Sequence, residues 1–201
     1  KDIENKSQKL LENFFNHKRK KITTPIPVID ILEYLGYDID FRNDGIYNDR
    51  NILGGLVQKE MKVELNESLT KNEGRLNFTI AHEIGHIILH TDKNSNNVLL
   101  RDHRNCKDDE NINTENRKKI EIEADKFAAF LLMPSIIIKD VFFKINKKPV
   151  NVSKFSIKNL FFRKSKVQNA FYTSSKIQKF GNFSNVSKTA ILNRLIGLGL
   201  I

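Results

Sequence analysis

Two histidines stand on either side of a glutamate in the segment His82-Glu83-Ile84-Gly85-His86. On an α-helix, His82 and His86 project from the same face, so both imidazoles can reach one metal ion at about 2.0 to 2.1 Å. Glu83 is poorly placed as a third ligand but well placed beside a water molecule on the ion, where a general base must act. A chance match to this pattern in a chain of this composition has a probability on the order of one percent. The segment therefore predicts a catalytic metal centre.

A third ligand is needed because a catalytic zinc takes three protein ligands and leaves a fourth position for water. Glu121 and Asp125 lie four residues apart in a second helical segment and share one face. This spacing lets Glu121 bind the metal while Asp125 accepts a hydrogen bond from the distal nitrogen of a histidine ligand. Glu123 projects elsewhere on that helix and is the alternative third ligand. Two imidazoles, one carboxylate and a water suit zinc (Zn2+).

Two residues nearer to the histidine pair fit the third position less well. Asp92 stands where some zinc peptidases have a ligand, but Leu89 occupies the place where that turn needs glycine. His90 lies about 6 Å further along the helix axis than His86, which favours a position at the helix end. A catalytic centre of this kind also needs a hydrogen-bond donor for the negatively charged oxygen that forms when water attacks a carbonyl group. Three residues could supply it, and the sequence does not rank them: Tyr47, His103 and Tyr172.

The elements that must position these residues follow from apolar spacing. Helical patterns run over residues 3–20, 28–35, 76–90 and 120–133, and strand patterns over residues 37–41, 54–57 and 61–65. This order predicts an α+β protein with a small antiparallel sheet, in which the two helices that carry the site pack on each other. We expect a metallopeptidase core over residues 1–135 and a mostly helical region over residues 136–201, either packed on the core or appended to it.

Positive charge is concentrated in the second of these regions. The chain has a net charge of +10, and residues 136–201 hold 13 Lys or Arg against the single acid Asp140. Such a surface could bind nucleic acid or an acidic protein. Because no nucleic-acid-binding motif accompanies the charge, a solvated basic surface is the simpler interpretation.

Cysteine content and hydropathy narrow the class of protein. The single cysteine, Cys106, cannot form an internal disulfide or complete a structural zinc site, which needs four protein ligands. No apolar stretch of 18 residues or more and no cleavable leader is found in the sequence. We therefore expect a cytoplasmic protein that does not enter a membrane.

Two segments of the sequence resemble the ImmA/IrrE family of metallo-endopeptidases. They are FTIAHEIGHIILH at residues 78–90 and EIEADKFAAFLLMP at residues 121–134. Further similarity lies in Pro27 to Gly36, in Gly54-Gly55-Leu56, and near the end in residues 186–200. The similarity covers about residues 25 to 135 and is patchy beyond. Two parts depart from the family pattern: the connection over residues 91–119 is long, and residues 136–183 fit the family weakly.

This resemblance implies a cytoplasmic zinc protease with a zincin-like core that relieves repression by cleaving a helix-turn-helix repressor, often encoded on phages or mobile elements. By matched position, His82, His86 and Glu121 are the zinc ligands and Glu83 is the catalytic acid and base. The alternative is a zincin-like regulatory protein that binds a repressor or DNA through its basic C-terminal region with little proteolysis. Glu83 argues against it, because a binding scaffold needs no carboxylate beside the water position.

Overall fold

The computed structural model describes residues 2–46, 51–91, 100–101, 114–149 and 160–201. Tyr47, Asp92, His103 and Cys106 lie outside these residues. Within them the chain forms seven α-helices and four strands in the order α1 Asp2–His17, α2 Val28–Tyr34, β1 Asp38–Arg42, β2 Gly54–Val57, β3 Lys62–Asn66, α3 Glu73–Leu89, β4 Leu100–Arg101, α4 Thr114–Leu132, α5 Ser135–Ile145, α6 Leu160–Phe180 and α7 Lys188–Gly197. The prediction of a mixed α+β protein is confirmed.

The chain divides into two compact units. The first contains Lys1–Ile22 and Pro27–Leu132, and the second contains Thr23–Ile26 and Met133–Ile201. The strands and both helices that carry the predicted site belong to the first unit, whereas α5, α6 and α7 belong to the second.

Helix α1 follows the amphipathic pattern of its sequence. Its apolar side chains recur at the three- and four-residue spacing of a helix face, and the buried ones are Leu10, Leu11, Phe14 and Phe15. This face packs against α4, and the Phe14 ring meets Tyr34 of α2 edge-on with centroids 5.6 Å apart. Burial of each such side chain contributes about 1.5 to 3 kcal/mol, so α1 holds α4 and α2 on one core.

A glycine follows helix α2 and closes its C-terminal end. Gly36 has φ +86°, a conformation that glycine adopts without steric cost. The Gly36 amide bonds the Glu33 carbonyl at 2.9 Å and the Tyr37 amide bonds the Leu32 carbonyl at 3.2 Å. These two bonds form a Schellman motif, which satisfies the last carbonyls of the helix and turns the chain into β1.

The sheet has the strand order β1-β3-β2-β4. Strands β2 and β4 run antiparallel to their neighbours, but β1 pairs with β3 in parallel, with Asp38 opposite Lys62. The prediction of an antiparallel sheet is therefore wrong for this pair. Strand β2 follows β1 in the chain, but in the sheet β3 lies between them, so β1 and β2 are the two neighbours of β3. The alternation of apolar residues predicts the strands but does not predict which strands become neighbours in the sheet.

Helix α3 packs on β2 and on α4. Its first turn is capped by Asn72, whose side chain accepts a hydrogen bond from the Arg75 amide at 3.0 Å. At the crossing with α4, a Cβ atom added to Gly85 would lie 3.1 Å from Ala124 Cα and 3.2 Å from Phe127 Cβ. The missing side chain of Gly85 thus allows the two backbones to approach closely.

Helix α4 begins at Thr114, whereas the sequence predicts a start near residue 120. The residues of its first turns whose side chains are described, among them Glu115, Lys118 and Lys119, are exposed. Because they carry no apolar stripe, periodicity alone does not detect them.

The second unit contains the helices α5, α6 and α7 among its described residues. Its buried apolar side chains include Ile138 of α5, Ile177 of α6, and Ile191 and Leu195 of α7. The segment Thr23–Ile26 joins it through side-chain amides, since Asn182 donates to the Thr24 carbonyl at 2.8 Å and Asn185 donates to the Ile26 carbonyl at 3.0 Å. None of the helices in the described part of the chain is long and apolar enough to cross a membrane.

Candidate metal centre

The central turn of α3 carries three polar side chains into the protein interior. His82, Glu83 and His86 are buried, with 2%, 0% and 0% of their surface exposed. Burial of three ionisable groups on adjacent turns is costly unless each has a partner. The apolar side chains Ile80 and Ile84 of the same helix are fully buried and supply the free energy that holds this turn in the core.

The two imidazoles converge with one carboxylate of α4. Nε2 of His82 lies 2.9 Å from Nε2 of His86 and 3.1 Å from Oε2 of Glu121. The other carboxylate oxygen of Glu121 lies 3.5 Å from Nε2 of His86. Among the described residues, these three form the group whose ligand atoms lie within 4.8 Å of one another and could hold a metal ion.

The spacing of these atoms fits a zinc ion. In a tetrahedral site with bonds of about 2.0 to 2.1 Å, ligand atoms are separated by about 3.3 Å. The observed separations lie on both sides of that value: 2.9 Å between the two Nε2 atoms, 3.1 Å from Nε2 of His82 to Oε2 of Glu121, and 3.5 Å from Nε2 of His86 to Oε1 of Glu121. Two imidazole nitrogens and one carboxylate oxygen are also the donor set of many catalytic zinc sites. The residues present therefore fit zinc in both distance and chemistry.

Asp125 supports His82 from the side away from the cluster. Its Oδ1 atom lies 2.9 Å from Nδ1 of His82, which is the contact that the spacing of Glu121 and Asp125 predicts. A carboxylate only accepts hydrogen bonds, so Nδ1 of His82 donates and Nε2 is directed at the cluster. This arrangement fixes both the ring orientation and the nitrogen that is available to a metal.

Glu123, the alternative third ligand, pairs with a different histidine. Its Oε2 atom lies 3.1 Å from Nε2 of His90. His90 is the residue that ends α3, as the sequence predicts, and its Nδ1 atom lies 3.2 Å from Nδ1 of His86. The sequence interpretation of His90 as a helix-end residue did not include this contact. The signal was present, because His90 stands four residues after His86, the same spacing that relates His86 to His82.

The electrostatics of the cluster differ from residue to residue. Burial disfavours protonation of His82, but hydrogen bonds with Asp125 and Glu121 outweigh it and raise the pKa of His82 to about 10. Burial lowers the pKa of His86, despite its contact with Glu121. Burial alone would raise the pKa of Glu121, but its contacts with the imidazoles of His82 and His86 lower it to about 2. Near neutral pH the metal-free cluster thus holds a proton on His82 and a negative charge on Glu121.

Glu83 lies against the first residue of β2. A Cβ atom added to Gly54 would lie 2.8 Å from Oε1 of Glu83 and 2.7 Å from Cγ2 of Thr79. The carboxylate therefore occupies the space that a side chain at position 54 would fill. The negative charge of Glu83 also favours the protonated form of His82, which places that charge near the cluster. The sequence pattern marks Gly54 as part of a strand and not as a residue of the site.

The oxyanion-stabilising residue stays open. Tyr47 and His103 lie outside the described residues. Tyr172 is on α6, has 61% of its surface exposed, and its ring faces the ammonium group of Lys176 at 4.6 Å.

The part of the chain that carries this site matches a known protein family. A sequence model of the IrrE N-terminal-like domain, Peptidase_M78, matches residues 47–161. This range covers more than half of the chain and contains all of α3 and α4. The chain belongs to the Peptidase_M78 family. The resemblance to ImmA/IrrE proteins inferred from the sequence is confirmed, and the chain is a metallopeptidase-family protein. A comparison with curated proteins gives no match.

Proposed function

We propose that the chain is a zinc-dependent endopeptidase with a zincin-like core, and that its substrate is a helix-turn-helix transcriptional repressor in the cytoplasm. The observation that carries the peptidase part is the convergence of His82, His86 and Glu121, whose nearest ligand atoms are 2.9 to 3.5 Å apart. Membership of the Peptidase_M78 family points to the same chemistry.

In this proposal His82, His86 and Glu121 hold the zinc ion. When bound, zinc supplies Lewis-acid activation of water and of the peptide carbonyl. Asp125 keeps His82 in the tautomer that presents Nε2, across a contact of 2.9 Å. The close approach of α3 and α4 at Gly85 brings Glu121 within reach of both rings.

Glu83 is the proposed general acid and base. It follows His82 directly on α3, and its carboxylate is fully buried next to Gly54. Glu83 takes the proton of the attacking water and then returns it to the nitrogen of the departing amine, so that peptide nitrogen leaves as a neutral group. A buried carboxylate held in one place loses little freedom when it accepts that proton, which favours the transfer.

The substrate class follows from the resemblance to ImmA/IrrE proteins. Proteolysis of a repressor would switch on the genes that it silences. The C-terminal region could assist by attracting an acidic partner or nucleic acid, because residues 136–201 contain 13 Lys or Arg and a single acidic residue.

The test combines cleavage with a variant of the general base. Purified protein, loaded with one equivalent of zinc, is mixed with a helix-turn-helix repressor encoded beside its gene, and fragments are identified by mass spectrometry. We expect one defined cut that a chelator abolishes and zinc restores. Glu83→Gln should keep its zinc and lose about 100- to 10,000-fold in rate. Glu73→Gln, on the exposed first turn of the same helix, should cut like the wild type.

The outcomes separate the peptidase from a binding protein. If Glu83→Gln relieves repression in cells as well as the wild type does, proteolysis is not the activity and the protein acts by binding the repressor or DNA. If zinc is bound and Glu83 is required, but this repressor stays intact, the peptidase chemistry stands and the substrate assignment is wrong.

A further inference from the structure

The second ring nitrogen of His86 has a partner of its own. Nδ1 of His86 lies 3.2 Å from Nδ1 of His90, and Nε2 of His90 lies 3.1 Å from Oε2 of Glu123. His86 is fully buried and the His90 side chain is 10% exposed. The three side chains form a line that begins at the cluster and ends at a carboxylate near the surface of α4.

The Glu123 carboxylate determines the direction of each hydrogen bond in this row of side chains. The Glu123 carboxylate can only accept, so the hydrogen lies on Nε2 of His90. In the tautomer that carries its hydrogen on Nε2, His90 offers a lone pair at Nδ1, and Nδ1 of His86 is the donor. That leaves Nε2 of His86 with its lone pair directed at His82 and Glu121, which is the form of imidazole that binds a metal.

The backbone at the end of α3 makes this contact available. His90 has left helical geometry, with φ −125° and ψ −8°, while its amide still bonds the His86 carbonyl at 2.9 Å. On α4, Glu121 and Glu123 are two residues apart and therefore project in different directions. One carboxylate meets the cluster and the other meets His90.

We infer that His90 is a positioning residue that, together with Glu123, fixes the ring orientation and tautomer of His86 for metal binding. The inference rests on the proposed function, because it assumes that the cluster holds zinc. It gives the two histidine ligands different supports: Asp125 acts directly on His82, whereas Glu123 acts on His86 through an intervening imidazole. His90 touches neither the metal position nor the substrate in this assignment.

The test measures metal binding without substrate. Zinc affinity of the full chain is determined by competition with a chromophoric chelator, and the visible spectrum of the Co2+-loaded protein reports ligand geometry. His90→Phe keeps a ring but removes both nitrogens, and we expect zinc affinity to fall about 10- to 100-fold with an altered Co2+ spectrum. His17→Phe is the matched control, because His17 is an exposed residue of α1 whose ring lies 5.2 Å from that of Tyr34 at an angle of 45°. It should bind both metals as the wild type does.

A conservative replacement separates hydrogen bonding from packing. The amide oxygen of His90→Gln can accept from His86 and its amide nitrogen can donate to Glu123. We expect this variant to recover most of the zinc affinity and the wild-type Co2+ spectrum. Glu123→Ala, at a partly exposed position of α4, removes the acceptor for His90 and should fold normally with a smaller loss than His90→Phe. It keeps the test decisive if His90→Phe does not fold.

Each outcome bears on one claim. Wild-type affinity and spectrum in folded His90→Phe, or in Glu123→Ala if the former does not fold, would overturn the positioning role and leave the proposed peptidase intact. Equal losses in His90→Phe and His90→Gln would overturn it too, because packing alone would then explain both. A wild-type chain that binds no zinc would overturn the proposed function together with this inference.

Discussion

Replacing Gly85 with alanine tests whether the metal centre depends on how closely α3 approaches α4. The new Cβ atom would lie 3.1 Å from Ala124 Cα, 3.2 Å from the Ala124 carbonyl oxygen and 3.2 Å from Phe127 Cβ. Carbon atoms in ordinary contact are about 3.5 Å apart or more. The neighbours are two backbone atoms and one Cβ of α4, which cannot rotate away, so the helices must separate by about 0.4 Å.

Two terms of opposite sign set the change in stability. Overpacking of this size costs about 1 to 3 kcal/mol, whereas alanine in a helix interior gains about 1 kcal/mol over glycine. We expect Gly85→Ala to lower the free energy of unfolding by about 1 kcal/mol. The same shift moves Glu121 relative to the histidines by nearly the tolerance of about 0.5 Å for a metal site. Zinc affinity should therefore fall roughly tenfold.

The assay pairs urea unfolding of the metal-free protein with zinc binding measured by chelator competition. The control is Gly197→Ala at the end of α7, where an added Cβ meets nothing within 4 Å. This variant should gain up to about 1 kcal/mol and keep its zinc affinity. If Gly85→Ala were as stabilised as the control and bound zinc like the wild type, the close helix contact would have no part in forming the site.

Three further predictions follow from other contacts. Gly54→Ala places a Cβ atom 2.8 Å from Oε1 of Glu83; the displaced carboxylate should lower kcat at least tenfold with zinc retained, and loss of zinc instead would contradict this. The raised pKa of His82, about 10, means that zinc must displace its proton near neutral pH. Calorimetry in buffers of different ionisation enthalpy should give close to one proton released per zinc, and zinc affinity should rise as pH increases towards 10. Zinc binding without proton release would contradict a protonated His82 near neutral pH. Gly36→Ala, at φ +86°, should destabilise the first unit by about 1 kcal/mol in urea unfolding. An unchanged urea midpoint would contradict the claim that the end of α2 requires glycine at this position.

The same pKa values set the pH dependence of stability in the metal-free protein. The pKa of His82 is raised from 6.5 to about 10, so its contribution is fully present below pH 6.5 and is lost as pH rises through 10. The pKa of Glu121 is lowered from 4.5 to about 2, so its contribution is present above pH 4.5 and is lost as pH falls through 2.

Local periodicity determined much of what the sequence could say. A helix repeats every 3.6 residues, so the spacing of His82 and His86 alone places both rings on one face. The same rule puts Glu121 and Asp125 on one face of α4, and the glycine at position 36 marks the end of α2. These relations depend on residues within one or two turns of each other, which is why no tertiary contact is needed to predict them.

Tertiary structure decided what lies between elements. Glu121 and Glu123 are both acids on α4, and the rotation of α4 against α3, set by the contact of Gly85 with Ala124, directs Glu121 to the two imidazoles and Glu123 to His90. The parallel pairing of β1 with β3 likewise depends on which strands become neighbours in the sheet. Helical periodicity fixes which residues share a face but not which faces meet, because that depends on close packing between segments far apart in the chain.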